Sequence, residues 1–222
     1  CAKPFSVVVM VDCGYHRAGV DPDREESIGL ARRMSDSSHV SFQGILTHAG
    51  HSYYGKNQGE IRSVAEQERS VMVKFAKRLR SAGVSPPEVS IGSTPTMTVT
   101  ESLEGVTEAR PGNYVFFDRF QATVGSCSTE NVAFSVVTTI LGHYRARGEL
   151  LVDAGALALS KDEGPTHVEP RCGYGVVTDV TGRGVLEHLR VYSLSQEHGK
   201  IAGAGAADFE ALHGLSYVET AV

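Results

Sequence analysis

The sequence predicts an α/β protein whose first half is a parallel sheet or part of a (β/α) barrel, followed by a mostly β C-terminal domain. Three observations support this fold class. Strand-like and helix-like segments alternate in the first half, polar clusters follow the strands at their carboxyl ends, and short β-rich segments take over after Asp118. Such alternation is typical of parallel sheets, and barrel enzymes keep their sites at the carboxyl ends of the strands.

The first segments of the chain follow the order strand, helix, strand, helix. Ser6–Val11 is a valine-rich run, as expected for a parallel strand that is buried on both faces. Glu25–Met34 carries apolar residues that suit a short helix, and Val40–Thr47 is the next strand. Over Glu60–Ala82 the apolar residues recur with helical spacing, and Gly83 ends that helix.

The remaining segments predict how the chain divides. Pro87–Ile91 is the third strand of the alternating half. Farther on, no helix-period segment of any length separates the β-rich pieces, which are Ala133–Ile140, Leu150–Val152, Gly175–Val177 and Leu189–Tyr192. We therefore place the barrel part at residues 1–124 and an incomplete β domain at residues 125–222.

Composition and charge exclude several classes of protein. The chain has 222 residues, of which 41% are hydrophobic and 21% charged, as in ordinary globular proteins. Its formal net charge of −5 gives no basic surface for nucleic acid, and no apolar run approaches the ~20 residues that cross a membrane. The four cysteines are scattered without a Cys-x-x-Cys pair, which argues for a reducing compartment. We expect a cytoplasmic protein without nucleic-acid or membrane partners.

Two glycine-containing loops are the most informative feature of the sequence. Ile91–Thr96 and Glu108–Tyr114 each combine small residues, backbone N–H groups and hydroxyl or amide donors beside a strand-like segment. Oriented backbone amides in such loops can wrap an anion, so two loops in series predict a phosphate held from two sides. The alternative is a pair of ordinary Gly/Pro turns.

Two further polar clusters end the first and second strands. Asp12–Val20 places Arg17 beside a glycine-permitted turn, although a simple strand-end salt bridge has the same composition. Thr47–Tyr53 carries His48 and His51, and a His-x-x-His spacing also occurs in metal sites. Because no third ligand stands nearby, an imidazole that lies against a ring or hydrogen-bonds the substrate is favoured over a metal ligand.

These segments, in this order, resemble the pyridoxal-phosphate (PLP) enzymes with an alanine-racemase-type barrel. Within them the chain looks like the D-serine dehydratase and D-threonine aldolase group. The resemblance runs from Ser6 to about Gly199, and it implies part of a PLP-binding (β/α)8 (TIM-type) barrel followed by a mostly β C-terminal domain. The matching segments are Asp12–Val20, Thr47–Tyr53, Gly92–Thr96, Arg110–Tyr114, Asp153–Ala156, Ser160–Asp162 and Glu197–Gly199.

The resemblance implies eight cofactor-binding residues, which are Arg17, His48, Tyr53, Ser93, Thr94, Arg110, Gly112 and Asn113. Thr94, with Ser93 beside it, is expected to hold the phosphate of the cofactor. The backbone at Gly112 and Asn113 is expected to hold the same phosphate from another side.

The ring of the cofactor has its own expected contacts. The resemblance places His48 against or near the pyridine ring, with Tyr53 lining the same pocket. It places Arg17 at the phenolic oxygen of the ring and Arg110 at the pyridine nitrogen. A guanidinium there would keep the nitrogen unprotonated and weaken the cofactor as an electron sink. Leu46 departs from the family, which often has a polar cofactor contact at this position.

Two features of the family have no counterpart in this sequence. The family's Schiff-base lysine lies on the first barrel strand and is expected upstream of residue 1, while Lys161 is expected on the surface. The family's metal ligands lie in a Pro-Asn-His-x-Cys segment, which is expected downstream of residue 222. We therefore predict no catalytic residue and no metal ligand within this chain, and we expect the chain to be a fragment.

The resemblance implies an activity for the complete protein. This activity is that of a PLP- and divalent-metal-dependent lyase of D-β-hydroxy amino acids, most like D-serine dehydratase, which gives pyruvate and ammonia. It further implies Zn²⁺ as the metal, a small-molecule D-amino acid substrate and a homodimer. Two alternatives stay open: a D-threonine aldolase-like retro-aldol lyase, and a catalytically inactive fragment or binding protein that lacks the Schiff-base lysine.

Overall fold

The computed structural model describes residues 3–178, 184–212 and 215–220, the last of these as backbone alone. Cys1, one of the four cysteines, lies outside the described residues. The chain divides into two compact units, residues 1–112 and residues 113–222. Each unit has its own hydrophobic core.

The first unit is a parallel sheet with helices between its strands. All of its strand pairs are parallel, and the strands follow one another in the order β1-β2-β3-β4. For the five elements of this unit that the sequence predicts, the predicted bounds differ from the observed ones by no more than two residues; a third helix and a fourth strand were not predicted. The elements are β1 (Phe5–Met10), α1 (Glu25–Ser35), β2 (Val40–Leu46), α2 (Gln58–Ser81), β3 (Glu88–Ile91), α3 (Thr94–Val99) and β4 (Glu108–Ala109).

Helix α2 packs against one face of this sheet. It begins where the Asn57 side chain accepts the Glu60 backbone N–H at 3.0 Å, and it ends before Gly83, whose φ of +83° is left-handed. Its buried side chains pack against the strands, so that burial of apolar surface fixes the helix over the sheet. The core of the unit includes Val9, Ile45, Val89 and Ile91 from the strands and Met72, Phe75, Ala76 and Leu79 from α2.

A glycine allows β2 and β3 to pair closely. Gly44 has a φ of +145°, and it follows an irregularity in the pairing of β1 with β2. A Cβ at this position would collide with the carbonyl oxygen of Glu88 and lie 2.7 Å from the Glu88 nitrogen. Only glycine fits where β2 passes this close to β3. The unpaired residue just before it, Gln43, shifts the pairing of β2 with β1.

The second unit is an antiparallel β barrel with short helices. Its strands close in the order β10-β5-β6-β9-β8-β7. Its helices are α4 (Arg119–Thr123), α5 (Ala156–Leu159) and α6 (Ala206–Ala211). Its strands are β5 (Ser135–Tyr144), β6 (Glu149–Val152), β7 (Gly175–Thr178), β8 (Val185–Leu194), β9 (Gly199–Ala202) and β10 (Leu215–Thr220). The predicted α/β half followed by a mostly β domain is thus confirmed. No helix in the described ranges is long and apolar enough to span a membrane.

Candidate active site

The loops that follow β1, β2 and β3 meet at one edge of the parallel sheet. The Val11 backbone N–H donates to Leu46 at 2.8 Å, and the Thr47 N–H donates to Ser90 at 3.0 Å. The Thr47 hydroxyl returns to the Val11 carbonyl at 2.6 Å. Because parallel strands end at the same edge, these hydrogen bonds place the polar loops next to one another.

His48 is half-buried in the loop after β2, and its ring is held by the loop after β3. Its Nδ1 lies 3.1 Å from the carbonyl oxygen of Gly92. Burial lowers the pKa of His48, and the charges of Arg17 and Arg110 lower it further, against the opposing effect of the Gly92 hydrogen bond. A carbonyl oxygen only accepts, so Nδ1 carries the proton of the neutral ring and Nε2 is left as an acceptor.

Tyr15 lies beside two of the predicted residues. Its ring centroid lies 6.1 Å from that of His48 in an edge arrangement, and the Arg17 guanidinium lies over it at 5.2 Å. The His48 and Tyr53 centroids are 6.2 Å apart. The structure therefore brings Arg17, His48 and Tyr53 together, and Tyr15, which our sequence analysis did not single out, contacts the first two. The sequence signal for Tyr15 was a phenol within the Asp12–Val20 cluster.

The ring of His51 stacks on that of Tyr15, with centroids 6.2 Å apart. Both of its ring nitrogens are buried without a hydrogen-bond partner among the described residues. Burial lowers the pKa of His51, which favours the neutral ring. Within the described part of the chain, no group of three His, Cys, Asp or Glu side chains is arranged to hold a metal ion.

Arg110 is anchored across the ends of β2 and β3. Its Nε donates to the Ser90 hydroxyl at 2.6 Å, and an Nη donates to the Thr47 carbonyl. Glu108 lies 3.7 Å from the same Nε and accepts from the Ser90 hydroxyl. The guanidinium is thus fixed at the edge where the strand-end loops meet, and about a third of its surface is exposed, at 35%.

Ser93 and Thr94 begin helix α3 and are both buried. The Ser93 hydroxyl accepts the Thr96 backbone N–H at 3.3 Å as the helix cap, and it lies 2.9 Å from the Ser52 hydroxyl. The Ser93 side chain thus has hydrogen-bond partners within the first unit. The phosphate roles of Ser93 and Thr94 stay predictions.

The backbone predicted to hold the phosphate from another side falls at the boundary of the two units. Gly112 is exposed, and a Cβ built on it would meet nothing within 4 Å, so open space lies beside its backbone. Upstream, the Arg110 N–H donates to the Ile91 carbonyl at 2.9 Å, which places the two glycine-containing loops side by side. Asn113 begins the second unit, where its side-chain amide donates to Asp118.

Glu68 is a second residue of this site that our sequence analysis did not single out. It is fully buried on α2, where its Oε1 accepts the backbone N–H groups of Ala49 at 3.1 Å and Gly92 at 3.0 Å. Its Oε2 accepts the Thr96 hydroxyl at 3.1 Å. The signal was present, because Glu68 follows the buried Ala65 by three residues on the apolar face of the helix.

The lysines of the chain lie elsewhere. All six are exposed: Lys3, Lys56, Lys74, Lys77, Lys161 and Lys200. Lys161 stands in the turn predicted for it, between Ser160, whose φ is +63°, and Asp162, whose carboxylate accepts the Ser160 hydroxyl.

The lowered pKa of His48 predicts a dependence of stability on pH. Since the folded state holds this pKa below the ordinary value of 6.5, the unfolded chain takes up a proton first as the pH falls. The part of the unfolding free energy that depends on neutral His48 is therefore present above about pH 6.5 and is lost as the pH falls below that value. A His48→Gln variant keeps a donor for Gly92 but does not titrate.

We expect the wild-type protein to lose more unfolding free energy than His48→Gln between about pH 7.5 and about pH 5.5 in urea titrations. The comparison is needed because burial raises the pKa of Glu68, which acts in the opposite direction. Equal losses in the two proteins would show that His48 is not held neutral.

Two family models match the chain in succession. The model of the alanine racemase N-terminal domain matches residues 1–120, and that of a putative serine dehydratase domain matches residues 133–215. The D-threo-3-hydroxyaspartate dehydratase of Delftia sp. (strain HT23) is 40% identical over 207 residues, which cover 93% of this chain and 54% of the relative. The D-serine dehydratase of Dictyostelium discoideum is 39% identical over 209 residues, with coverages of 90% and 51%. The chain spans about half the length of these relatives.

Solved structures show the same fold. The dehydratase from Delftia sp. HT23 superposes with a TM-score of 0.89 at 37% identity, covering 98% of this chain and 59% of the relative. Another solved form of that dehydratase is described as metal-free. The D-threonine aldolase from Filomicrobium marinum superposes with a TM-score of 0.77 at 21% identity, covering 98% and 55%, which shows a shared fold alone.

Proposed function

Because the chain belongs to the alanine racemase N-terminal domain family and continues into a serine dehydratase-like domain, we propose that the full-length natural protein is a PLP-dependent dehydratase of D-β-hydroxy amino acids. D-serine, giving pyruvate and ammonia, is the proposed substrate. The observation that carries the proposal is the meeting of three polar strand-end loops at one edge of the parallel sheet, in a chain with this succession of domains.

The residues present fit PLP in the chemistry of their donor set. PLP carries a phosphate and a phenolic oxygen, both anionic, and a pyridine nitrogen that can accept. Two guanidinium groups, Arg17 and Arg110, stand at the edge where the loops meet, and open space lies beside the exposed backbone of Gly112. These groups match an anionic ligand that accepts hydrogen bonds.

Each side chain has a proposed task at this site. PLP, when bound, supplies an electron sink for the negative charge left on the substrate as the α-proton departs. Arg110, which is anchored to Thr47 and Ser90, would donate to the pyridine nitrogen and keep it free of a proton. The lowered pKa of His48 favours its neutral form at neutral pH, so its imidazole would orient the pyridine ring without adding a positive charge beside it. Arg17 would donate to the phenolic oxygen.

The metal and the assembly are proposals about the full-length protein. The resemblance implies Zn²⁺ and a homodimer, and the metal-free form of the dehydratase relative supports a test for metal. The described residues of this chain do not include a group of three side chains that could hold a metal ion. Metal analysis and sedimentation of the purified full-length protein test these two proposals.

The proposed reaction is tested by its products. The full-length protein, supplied with PLP and Zn²⁺, is incubated with D-serine, D-threo-3-hydroxyaspartate or D-threonine. We expect a 2-oxo acid and ammonia in equal amounts. Glycine and an aldehyde would instead identify a retro-aldol lyase, and the absence of both product pairs, with no bound PLP, would indicate a protein of another function.

The phosphate assignment predicts the effect of a side chain at Gly112. A Gly112→Val substitution places its Cβ in open space, so the fold should be retained, while the added atoms occupy the place proposed for the phosphate. We expect the dissociation constant for PLP to rise at least about tenfold, the equivalent of about 1.4 kcal/mol. Equilibrium dialysis measures it, with Gly29→Val on α1 as the control. Unchanged affinity would show that the phosphate lies elsewhere.

A further inference from the structure

Glu68 connects the loops on which the proposed cofactor site depends. It lies on α2, outside these loops, yet its carboxyl group accepts hydrogen bonds from the loop after β2 and from the loop after β3. Oε1 receives the Ala49 N–H from the loop after β2, and it also receives the Gly92 N–H from the loop after β3. One oxygen atom therefore fixes the distance between two separate strand ends.

Each of these hydrogen bonds is next to a predicted cofactor residue. Ala49 follows His48 directly, and Gly92 supplies the carbonyl that accepts the His48 Nδ1 proton at 3.1 Å. Oε2 accepts from Thr96, whose hydroxyl lies 3.0 Å from that of Ser93 at the start of α3. Glu68 thus holds His48 on one side and the first turn of α3 on the other.

The neighbouring residue of α2 extends this arrangement to the third loop. Gln67 donates its side-chain amide to the Cys13 carbonyl at 3.0 Å, in the loop after β1. A Cβ at Gly14 would lie 2.7 Å from the same amide nitrogen, so this loop also closes tightly on α2. Two consecutive residues of one helix therefore bind all three loops that meet at the site.

From these contacts we infer that Glu68 is a positioning residue of the PLP site, which sets the spacing between His48 and the proposed phosphate loop. This inference rests on the proposed function. Glu68 is fully buried and touches three donors, so its task is to accept hydrogen bonds at fixed positions. Shape and hydrogen-bonding capacity matter to this task, and a negative charge does not.

Three substitutions separate these properties. Glu68→Gln keeps the length and an acceptor oxygen for Ala49 and Gly92, and its amide can donate to the Thr96 oxygen. Glu68→Asp keeps the charge but is one methylene shorter, so it cannot reach both backbone groups. Glu68→Ala removes the contacts altogether. Leu79→Ala serves as the control. Leu79 lies on the same helix, and its truncation creates a cavity in the hydrophobic core of the first unit without changing a contact to the loops.

The readout is the dissociation constant for PLP in the full-length protein, measured by equilibrium dialysis, with the folded fraction determined by circular dichroism. We expect Glu68→Asp and Glu68→Ala to raise the dissociation constant for PLP at least about tenfold, which corresponds to the loss of one buried hydrogen bond. The dissociation constant of Glu68→Gln should stay within about threefold of the wild-type value. Leu79→Ala, corrected for its folded fraction, should bind PLP as the wild type does. If Glu68→Ala does not fold, the affinity of Glu68→Asp for PLP is compared with that of the wild type instead.

Two outcomes would overturn the inference about Glu68 and leave the proposed function intact. One is wild-type affinity in a folded Glu68→Asp variant, and the other is an equal loss of affinity in Leu79→Ala, which would show that general destabilisation is responsible. A wild-type protein that does not bind PLP would overturn the proposed function and this inference with it. The three results are distinguishable in one set of dialysis measurements.

Discussion

Replacing His48 with Ala is expected to lower the turnover of the full-length protein by about 10- to 100-fold, the range in which a misplaced reacting group affects rate. The imidazole is held by Gly92, and its pKa is lowered by burial and by the charges of Arg17 and Arg110. Its loss removes the ring that is proposed to orient the cofactor. The fold should suffer little. His48 is half-buried at the edge of the sheet, and its one hydrogen bond contributes about 1 kcal/mol.

The chain offers a matched control for this experiment. His39 is exposed immediately before β2, at the opposite end of the strand from His48. We expect His39→Ala to leave both turnover and unfolding free energy at wild-type values. A His48→Ala protein that unfolds at much lower urea concentration, but retains its activity per folded molecule, would show that His48 has a structural role and that the site has been placed wrongly.

Replacing Gly44 with Val is expected to remove most of the folded protein. The backbone there has a φ of +145°, and the new Cβ would collide with the Glu88 carbonyl of the neighbouring strand. Strain at such a φ costs about 1–3 kcal/mol, and the lost pairing of β2 with β3 adds to it, against a total stability of about 5–15 kcal/mol. The loops after these strands would separate with them.

Urea unfolding and the soluble yield measure this effect. Gly112→Val is the control, because the same side chain is added in open space and the fold should keep its stability. A Gly44→Val protein with wild-type unfolding free energy would show that β2 and β3 do not approach each other as closely as the structure has them.

Much of the fold was predictable from the sequence because its signals are local. The valine run of β1 and the helical spacing of apolar residues in α2 identify both elements without knowledge of their partners. The close approach of β3 at Gly44 was not predicted, because an isolated glycine inside a strand does not reveal which backbone approaches it. The position of β4, two residues long, depends on its pairing with β3 and has no local signal of its own.

The candidate site was predictable in its loops but not in its supports. His48 and Arg110 stand in polar clusters after strands, and such clusters are visible in the sequence. Glu68 stands among apolar residues of a helix, where a single carboxylate is more often a solvent-facing residue than the acceptor of three buried hydrogen bonds. The hydroxyl of Ser93 also has a partner that the sequence does not reveal, because it lies 2.9 Å from the Ser52 hydroxyl of another loop. Tertiary partners decide both cases.

A crystal structure of the full-length protein with PLP would show whether the cofactor binds where the loops after β1, β2 and β3 meet. We expect the pyridine ring beside His48, the guanidinium of Arg110 at the ring nitrogen, and the phosphate against the backbone at Gly112 and the start of α3. Density for PLP at any other place in the protein, with these residues free of it, would show that the strand-end loops do not form the cofactor site.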